Sequence, residues 1–432
     1  MIGAVRLRQI AEQVGHRLSV IPILYVFGSI VLVQTLLFVD RSFVDETLPT
    51  VLETTVDSAR AVFAAIAGGL ITSITLLLSM MLVAVQLASS QFSPRTLRDW
   101  LGNRTLQNAV GFVLGTTVFC LLALRSTRDV GEDDDAIIPH ITVLTAVALG
   151  VLSLVAVVRA VDHITDSLRV SSVAERVSGH TVRVIERVFA PTHDPAGRVG
   201  PESGALRDDG WIDVPVGATP LEAPASGWAQ QIDDELLLDA LPPQRTGYLT
   251  VTVGGFITAG SPLLWIAPGV DGIEQCRAGI LDAIALGNTR TMQQDAEFGM
   301  VQLTDIAVRA LSPGVNDPGT ACDVIVHLGT VMAVLWQYPA PPTTRRAGTR
   351  TIVRRQPTHA ALFERAFGPV VHYGGTDRQV VHTLTQVVSQ LRSEARRREL
   401  PGPVAPLDEL LDALDAGDEA PVWDVSRRGG GR

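Results

Sequence analysis

The chain has 432 residues, a formal net charge of -10, 47% hydrophobic residues and a mean hydropathy of +0.27. With this acidic balance nothing points to nucleic acid as a partner, and the hydropathy points to membrane segments. All 35 basic residues are arginine, which excludes a P-loop lysine, a Schiff-base lysine and lysine-borne biotin or lipoyl groups.

In chain order, residues 1–17 form a basic tail with Arg6, Arg8 and Arg17. Four apolar stretches follow, at 18–39, 61–88, 107–124 and 141–161, with no charge in the middle third of any. At 1.5 Å per residue the shortest reaches about 27 Å and the second about 42 Å, against a hydrocarbon core of roughly 30 Å, so each is long enough to cross. The first exceeds the usual signal-peptide core of ~7–15 residues and lacks a small-residue cleavage site, so it reads as a retained anchor.

Arginine placement sets the orientation. The tail and the 89–106 loop carry Arg95, Arg98 and Arg104, whereas the opposite loops carry Asp40, Asp45, Glu46, Glu53 and Asp57 and then GEDDD at 131–135. By the positive-inside rule both termini are expected in the cytoplasm.

Small residues recur at four-residue spacing in the second span (Ala61, Ala65, Gly69, Ser73), and the third carries Gly111 and Gly115. Such ridges let helices pack closely, within the chain or between protomers. The sharper reading has Thr72, Ser73, Thr75 and Ser79 lining a hydrated path in a homo-oligomer. The spans hold no mid-membrane Asp, Glu, Arg or His, which argues against a proton- or ion-coupled carrier. At the end of the fourth span, Arg159, Asp162, His163 and Asp166 share one polar face. They suit interfacial anchoring or a gate in which His163 titrates. A juxtamembrane helix is expected over 162–190, on the stripe Ile164, Leu168, Val173, Val177, Val184, Ile185 and Val188.

Residues 191–272 read as a linker followed by a small β domain, its strands marked by WIDVPV, LEAPASGWAQQID, GYLTVTVGGFITAG and PLLWIAPG. APASGWAQQID and VGGFITAGSPLLWI resemble hairpins of barrel-sandwich, biotinyl/lipoyl-like domains, without the modifiable lysine. Residues 273–336 are expected to be helical, 337–357 a linker, 358–417 a C-terminal helical segment and 418–432 a disordered tail.

Within the helical segment, RALSPGVNDPGTA combines a helix stop, a Pro-Gly turn and a start in which Asp317 caps and Pro318 takes the first helical position. Arg290, Asp295, Asp305, Arg309, Asn316 and Asp317 either brace this corner as caps and ion pairs or converge on a small anion or metal. The bracing reading comes first, because each residue already has a structural duty.

The pattern as a whole resembles a bacterial family of predicted membrane proteins, domain of unknown function 2254. The resemblance is carried by QFSPRTLRDWLGNRTLQNAVGFVLGTTVFCLLALR at 91–125, IPHITV at 138–143 and GNTRTMQQDAEFGMVQLTDIAVRALSPGVNDPGTA at 287–321, and covers roughly residues 15–415. It implies an α-helical membrane protein with four transmembrane helices followed by a cytoplasmic α+β region, and carries over no catalytic residue. The chain has no nucleophile elbow, HExxH, dinucleotide loop or CxxC pair among Cys120, Cys276 and Cys322, so it reads as a non-enzyme without cofactor or bound metal. Two functions are open: a homo-oligomeric channel for ions or small solutes with a sensing or assembly domain, and a non-conducting membrane scaffold that recruits a cytoplasmic protein partner.

Overall fold

The computed structural model describes residues 20–42, 55–91, 104–127, 140–167, 169–189, 212–269, 273–398 and 404–416. These divide into two compact units that meet in sequence at Arg169 and Val170.

The first unit consists of α1 (Val20–Ser42), α2 (Val56–Gln91), α3 (Arg104–Ser126) and α4 (His140–Ser167), which hold the described residues of the four apolar stretches. Each is long and apolar enough to cross a bilayer. α3 is the central helix, packed by α1, α2 and α4. Its glycines explain that place: a Cβ on Gly111 would lie 2.6 Å from the Tyr25 ring, and one on Gly115 3.0 Å from the Tyr25 carbonyl oxygen. Gly111 and Gly115 therefore serve close packing inside one chain. Outward, α1, α2 and α4 present large apolar side chains such as Phe27, Phe38, Leu76, Leu82 and Leu152. A surface of this kind suits lipid rather than water.

Asp40, read in the sequence only as a loop charge, is buried. From the end of α1 it accepts hydrogen bonds from the Ile141 and Thr142 amides at 3.0 and 3.1 Å and from the Thr142 hydroxyl at 2.5 Å. It thus caps the start of α4 from another helix, satisfying donors that the helix itself leaves open. Arg60 of α2 donates from Nε and Nη2 to the Thr127 carbonyl just past α3.

The second unit opens with α5 (Val170–Phe189). Its helical layer continues with α8 (Ala296–Ala310), α9 (Pro318–Leu335), α10 (His359–Gly374), α11 (Arg378–Arg397) and α12 (Val404–Ala416). α9 is a fifth helix apolar enough to cross a bilayer. Here, however, it is the core of the layer: Val324, Ile325, Leu328, Val331, Met332 and Leu335 are buried, and α5, α8 and α11 pack around it. A Cβ on Gly329 would lie 2.5 Å from Val387 of α11, which shows how closely the two helices approach.

The β part has strands β1 (Thr219–Glu222), β2 (Gly227–Ile232), β3 (Thr246–Leu249), β4 (Phe256–Ile257), β5 (Pro262–Ala267), β6 (Ile284–Gly287), β7 (Thr344–Ala347) and β8 (Arg350–Arg354). They form a five-stranded sheet ordered β1-β5-β3-β8-β7 and a three-stranded sheet ordered β4-β2-β6. Helices α6 (Asp234–Ala240) and α7 (Glu274–Asp282) pack with both sheets around one apolar core that includes Leu237, Leu264, Ile280 and Ile352.

Three boundaries differ from those expected. Residues 337–357 are not a linker, because the β7–β8 hairpin lies there and β8 pairs parallel to β3, with Gly247 opposite Ile352. The four arginines of TRRAGTRTIVR hide its β character, and the strand that β8 joins lies about a hundred residues upstream. The helical segment contains β6, which joins β2, and the β segment contains α6, capped by Asp233 accepting from the Glu235 and Leu236 amides. The tail at 1–17, the 92–103 loop with Arg95 and Arg98, the linker at 191–210 and the end at 418–432 lie outside the described residues.

Candidate functional sites

In the first unit, α2 turns Ala59, Phe63, Ala67, Leu70 and Leu77 inward. Ala61, Ala65, Gly68, Gly69, Thr72, Thr75 and Ser79 are exposed within the single chain, and Ser73 is half-buried beside them. The four hydroxyls bond back along the helix, Thr72 to the Gly68 carbonyl, Ser73 to Gly69, Thr75 to Ile71 and Ser79 to Thr75, at 2.8–3.1 Å. Their donors are satisfied without water, which lowers the cost of facing lipid. At the end of α4, Arg159, Asp162 and Asp166 are exposed and His163 half-buried, while Ala160 and Ile164 turn inward. Asp166 pairs with Arg169 at 3.8 Å on this surface.

The sequence-predicted cluster in the second unit separates into two places. Arg290 and Asp295 sit at the start of α8. Arg309, Asn316 and Asp317 sit at and beyond its end, about 20 Å away at 1.5 Å per residue, with Asp305 on the helix between. Convergence on one anion or metal is therefore ruled out for this set. Among the described residues no group of three or more His, Cys, Asp or Glu could hold a metal ion. The corner is made of helix ends. Asp317 Oδ1 accepts from the Thr320 amide at 3.1 Å and Oδ2 from its hydroxyl at 2.6 Å, the Asp317 amide donates to Ala310 O at 2.7 Å, and Asn316 takes φ 47°.

The Thr320 hydroxyl and amide hold the Asp317 carboxyl below its ordinary range. A depressed carboxyl pKa contributes stability that is present above the unfolded value of ~3.9 and lost as pH falls through the folded value. Asp317→Ala is expected to cost ~0.5–2 kcal/mol, the range for an N-cap. The effect should shrink in acid, as read from melting of the full chain in detergent at pH 7 and below 4.

The start of α8 opens instead onto a cleft of about 940 Å³. Its walls come from the end of α5, the starts of α6, α8 and α10, the turn after β3, and the ends of β7 and β8. Two charge networks line it. In one, Arg290 donates from Nε and Nη2 to Asp295 at 2.5 and 3.0 Å while Asp295 Oδ1 also caps the Phe298 amide at 2.9 Å. Arg290 and Arg365 both reach Glu297, and the Arg290 guanidinium lies 5.3 Å from the Phe298 ring centroid. Burial disfavours the Arg290 charge, but Asp295 and Glu297 outweigh it and raise its pKa above the ordinary value. Gly254, at φ 78° in the turn after β3, rests on this pair. A Cβ there would lie 2.0 Å from Asp295 Oδ2 and 2.7 Å from Arg290 Nε.

In the other network, Asp234 Oδ2 accepts from Arg354 Nη2 at 2.9 Å and forms an ion pair with Arg345 Nε at 3.1 Å. The Gln356 amide oxygen, in the orientation that satisfies it, accepts from Arg354 Nε and Nη2 at 2.9 Å. Asp234 Oδ1 is buried without a hydrogen-bond partner. Burial lowers the Arg354 pKa; Asp234 opposes the shift and the neighbouring charge of Arg345 adds to it. Sequence reading missed Asp234, Glu297, Arg345, Arg354 and Arg365. The arginine pairs flanking TRRAGTRTIVRR were the available signal, obscured by reading the segment as a linker.

Comparison with known proteins places these features in context. The model of a family described as Predicted membrane protein (DUF2254) matches residues 15–390. Uncharacterized proteins of Mycobacterium tuberculosis (strain CDC 1551 / Oshkosh) and Mycobacterium bovis (strain ATCC BAA-935 / AF2122/97) are each 32% identical over 344 residues, covering 77% of this chain and 63% of the relative. The matched part is thus just under two thirds of each relative's length. No solved structure matches.

Proposed function

We propose, from the premise that the chain belongs to the Predicted membrane protein (DUF2254) family, that it acts as a homo-oligomeric channel for ions or small solutes. In this reading α1–α4 are four spans of the inner membrane with both termini cytoplasmic, and the α+β unit senses a ligand or assembles protomers. The four-span count draws on α9, whose apolar residues are already covered by α5, α8 and α11. No catalytic step is assigned.

The observation that carries the proposal is the outward face of α2. Ala61, Ala65, Gly68, Thr72, Thr75 and Ser79 are left uncovered by the rest of their own chain, and nothing lies within 4 Å of a Cβ placed on Gly68. Small residues at this spacing let a second helix approach closely. Hydroxyls that donate to their own helix keep oxygen lone pairs for water, so the same face tolerates a hydrated axis.

Thr72→Cys in proteoliposomes is expected to oxidise to a covalent dimer, and Leu78→Cys, exposed on another face, is not. The native cysteines are buried and contribute little background. Ion flux is expected, with block when Thr75→Cys is alkylated. Dimers without flux at any potential or salt would favour the scaffold reading, and absence of both would sink the assembly on which either reading rests.

A further inference from the structure

We propose that the arginine-walled cleft of the second unit is a binding site for a small phosphate ester. The walls hold six arginines, Arg187, Arg290, Arg345, Arg354, Arg355 and Arg365, against five carboxylates, in a chain whose overall charge is -10. The imbalance has a location. Arg290 and Arg365 are matched by Asp295 and Glu297. Arg345 and Arg354, with side chains 28% and 12% exposed, share the single carboxylate of Asp234. One positive charge is thus held in a largely buried place without its counter-charge, an arrangement that costs free energy unless an anion supplies the balance. The first turns of α8 and α10 open onto the same space and add the positive ends of two long helices.

The Asp234 side chain is 6% exposed, and both guanidiniums lie against its one oxygen Oδ2. A ligand ammonium would add charge where positive charge is already in excess, so the cleft suits an anion. The volume, about 940 Å³, exceeds the needs of inorganic phosphate and lies in the range of organic ligand sites. Val253, Pro341 and Leu362 on the walls offer contact to a carbon skeleton. Arginine recognises phosphate through paired N–H donors, and Arg187 at the exposed end of α5 gives a charged entrance.

The test uses the full chain in detergent and calorimetric titration, and is independent of whether the membrane helices conduct. Ribose 5-phosphate is expected to bind saturably, with ribose, which lacks the phosphate, silent at the same concentrations. Arg345→Gln is expected to weaken ribose 5-phosphate by about tenfold or more. Arg187→Gln, on the exposed surface, should weaken it less and leave folding intact, so a misfolded Arg345 variant does not end the test. A soluble short-chain phosphatidylinositol that competes with ribose 5-phosphate would assign the same chemistry to a lipid headgroup, and failure to compete would assign it to a free metabolite. No saturable binding by folded wild-type protein, or equal binding of ribose 5-phosphate and ribose, overturns the proposal.

Discussion

Gly254→Ala is expected to destabilise the α+β unit by about 2–5 kcal/mol, the left-handed backbone cost plus part of the ~3–5 kcal/mol that full loss of a buried ion-pair partner costs. Alanine at φ 78° is strained by itself. The larger part comes from the collision, because the added Cβ would stand 2.0 Å from Asp295 Oδ2. Asp295 has little room to yield: two hydrogen bonds from Arg290 and one from the Phe298 amide fix both oxygens. Gly260 provides the control. It has the same φ of 78°, yet nothing lies within 4 Å of its Cβ position, so Gly260→Ala carries the backbone cost alone, ~1–2 kcal/mol. Tryptophan fluorescence reports on this unit, since the described tryptophans Trp228, Trp265 and Trp336 all belong to it. Equal shifts in melting temperature for the two variants would show that the turn does not rest on the ion pair.

Asp234→Ala is the second large effect, expected to cost about 3–5 kcal/mol, as when one partner of a buried pair is removed and the other stays charged. Here the removal strands two guanidiniums. Arg354 keeps Gln356 but loses its carboxylate, and it sits beside Arg345 with nothing between like charges. Arg345→Ala should cost much less, because it removes the excess charge and leaves the Asp234–Arg354 pair. The double variant Asp234→Ala with Arg345→Ala is expected to recover part of the loss, a non-additivity of ~0.5–3 kcal/mol typical of residues in one network. Strict additivity in thermal melts would mean that the three side chains are not electrostatically coupled.

Legibility in the sequence followed the range of the interactions involved. The four apolar helices were readable because hydropathy along a helix is a property of consecutive residues. The Asp317 cap and the Pro318 start were readable for the same reason, since the acceptor and its donor at Thr320 are three residues apart. Family membership was readable from contiguous segments as well. The β7–β8 hairpin was not, because four arginines within TRRAGTRTIVR give it the polarity of a linker. Asp40 was misjudged because its role depends on donors about a hundred residues away.

The candidate site divides along the same line. Sequence by itself determined which helices are apolar enough for a bilayer, that lysine chemistry is absent, and that α2 carries small and hydroxyl residues on a helical ridge. Only the tertiary structure decided that this ridge faces out of the chain, that Gly111 and Gly115 face in, and that α9 is a core helix despite its hydropathy. It also split Arg290 and Asp295 from the corner at Asp317 and brought Asp234 to Arg354 across 120 residues. Spacing along one helix is set by the 3.6-residue turn and is therefore written locally. Which charges share a cleft is set by how sheets and helices stack around the core, and no local pattern encodes it.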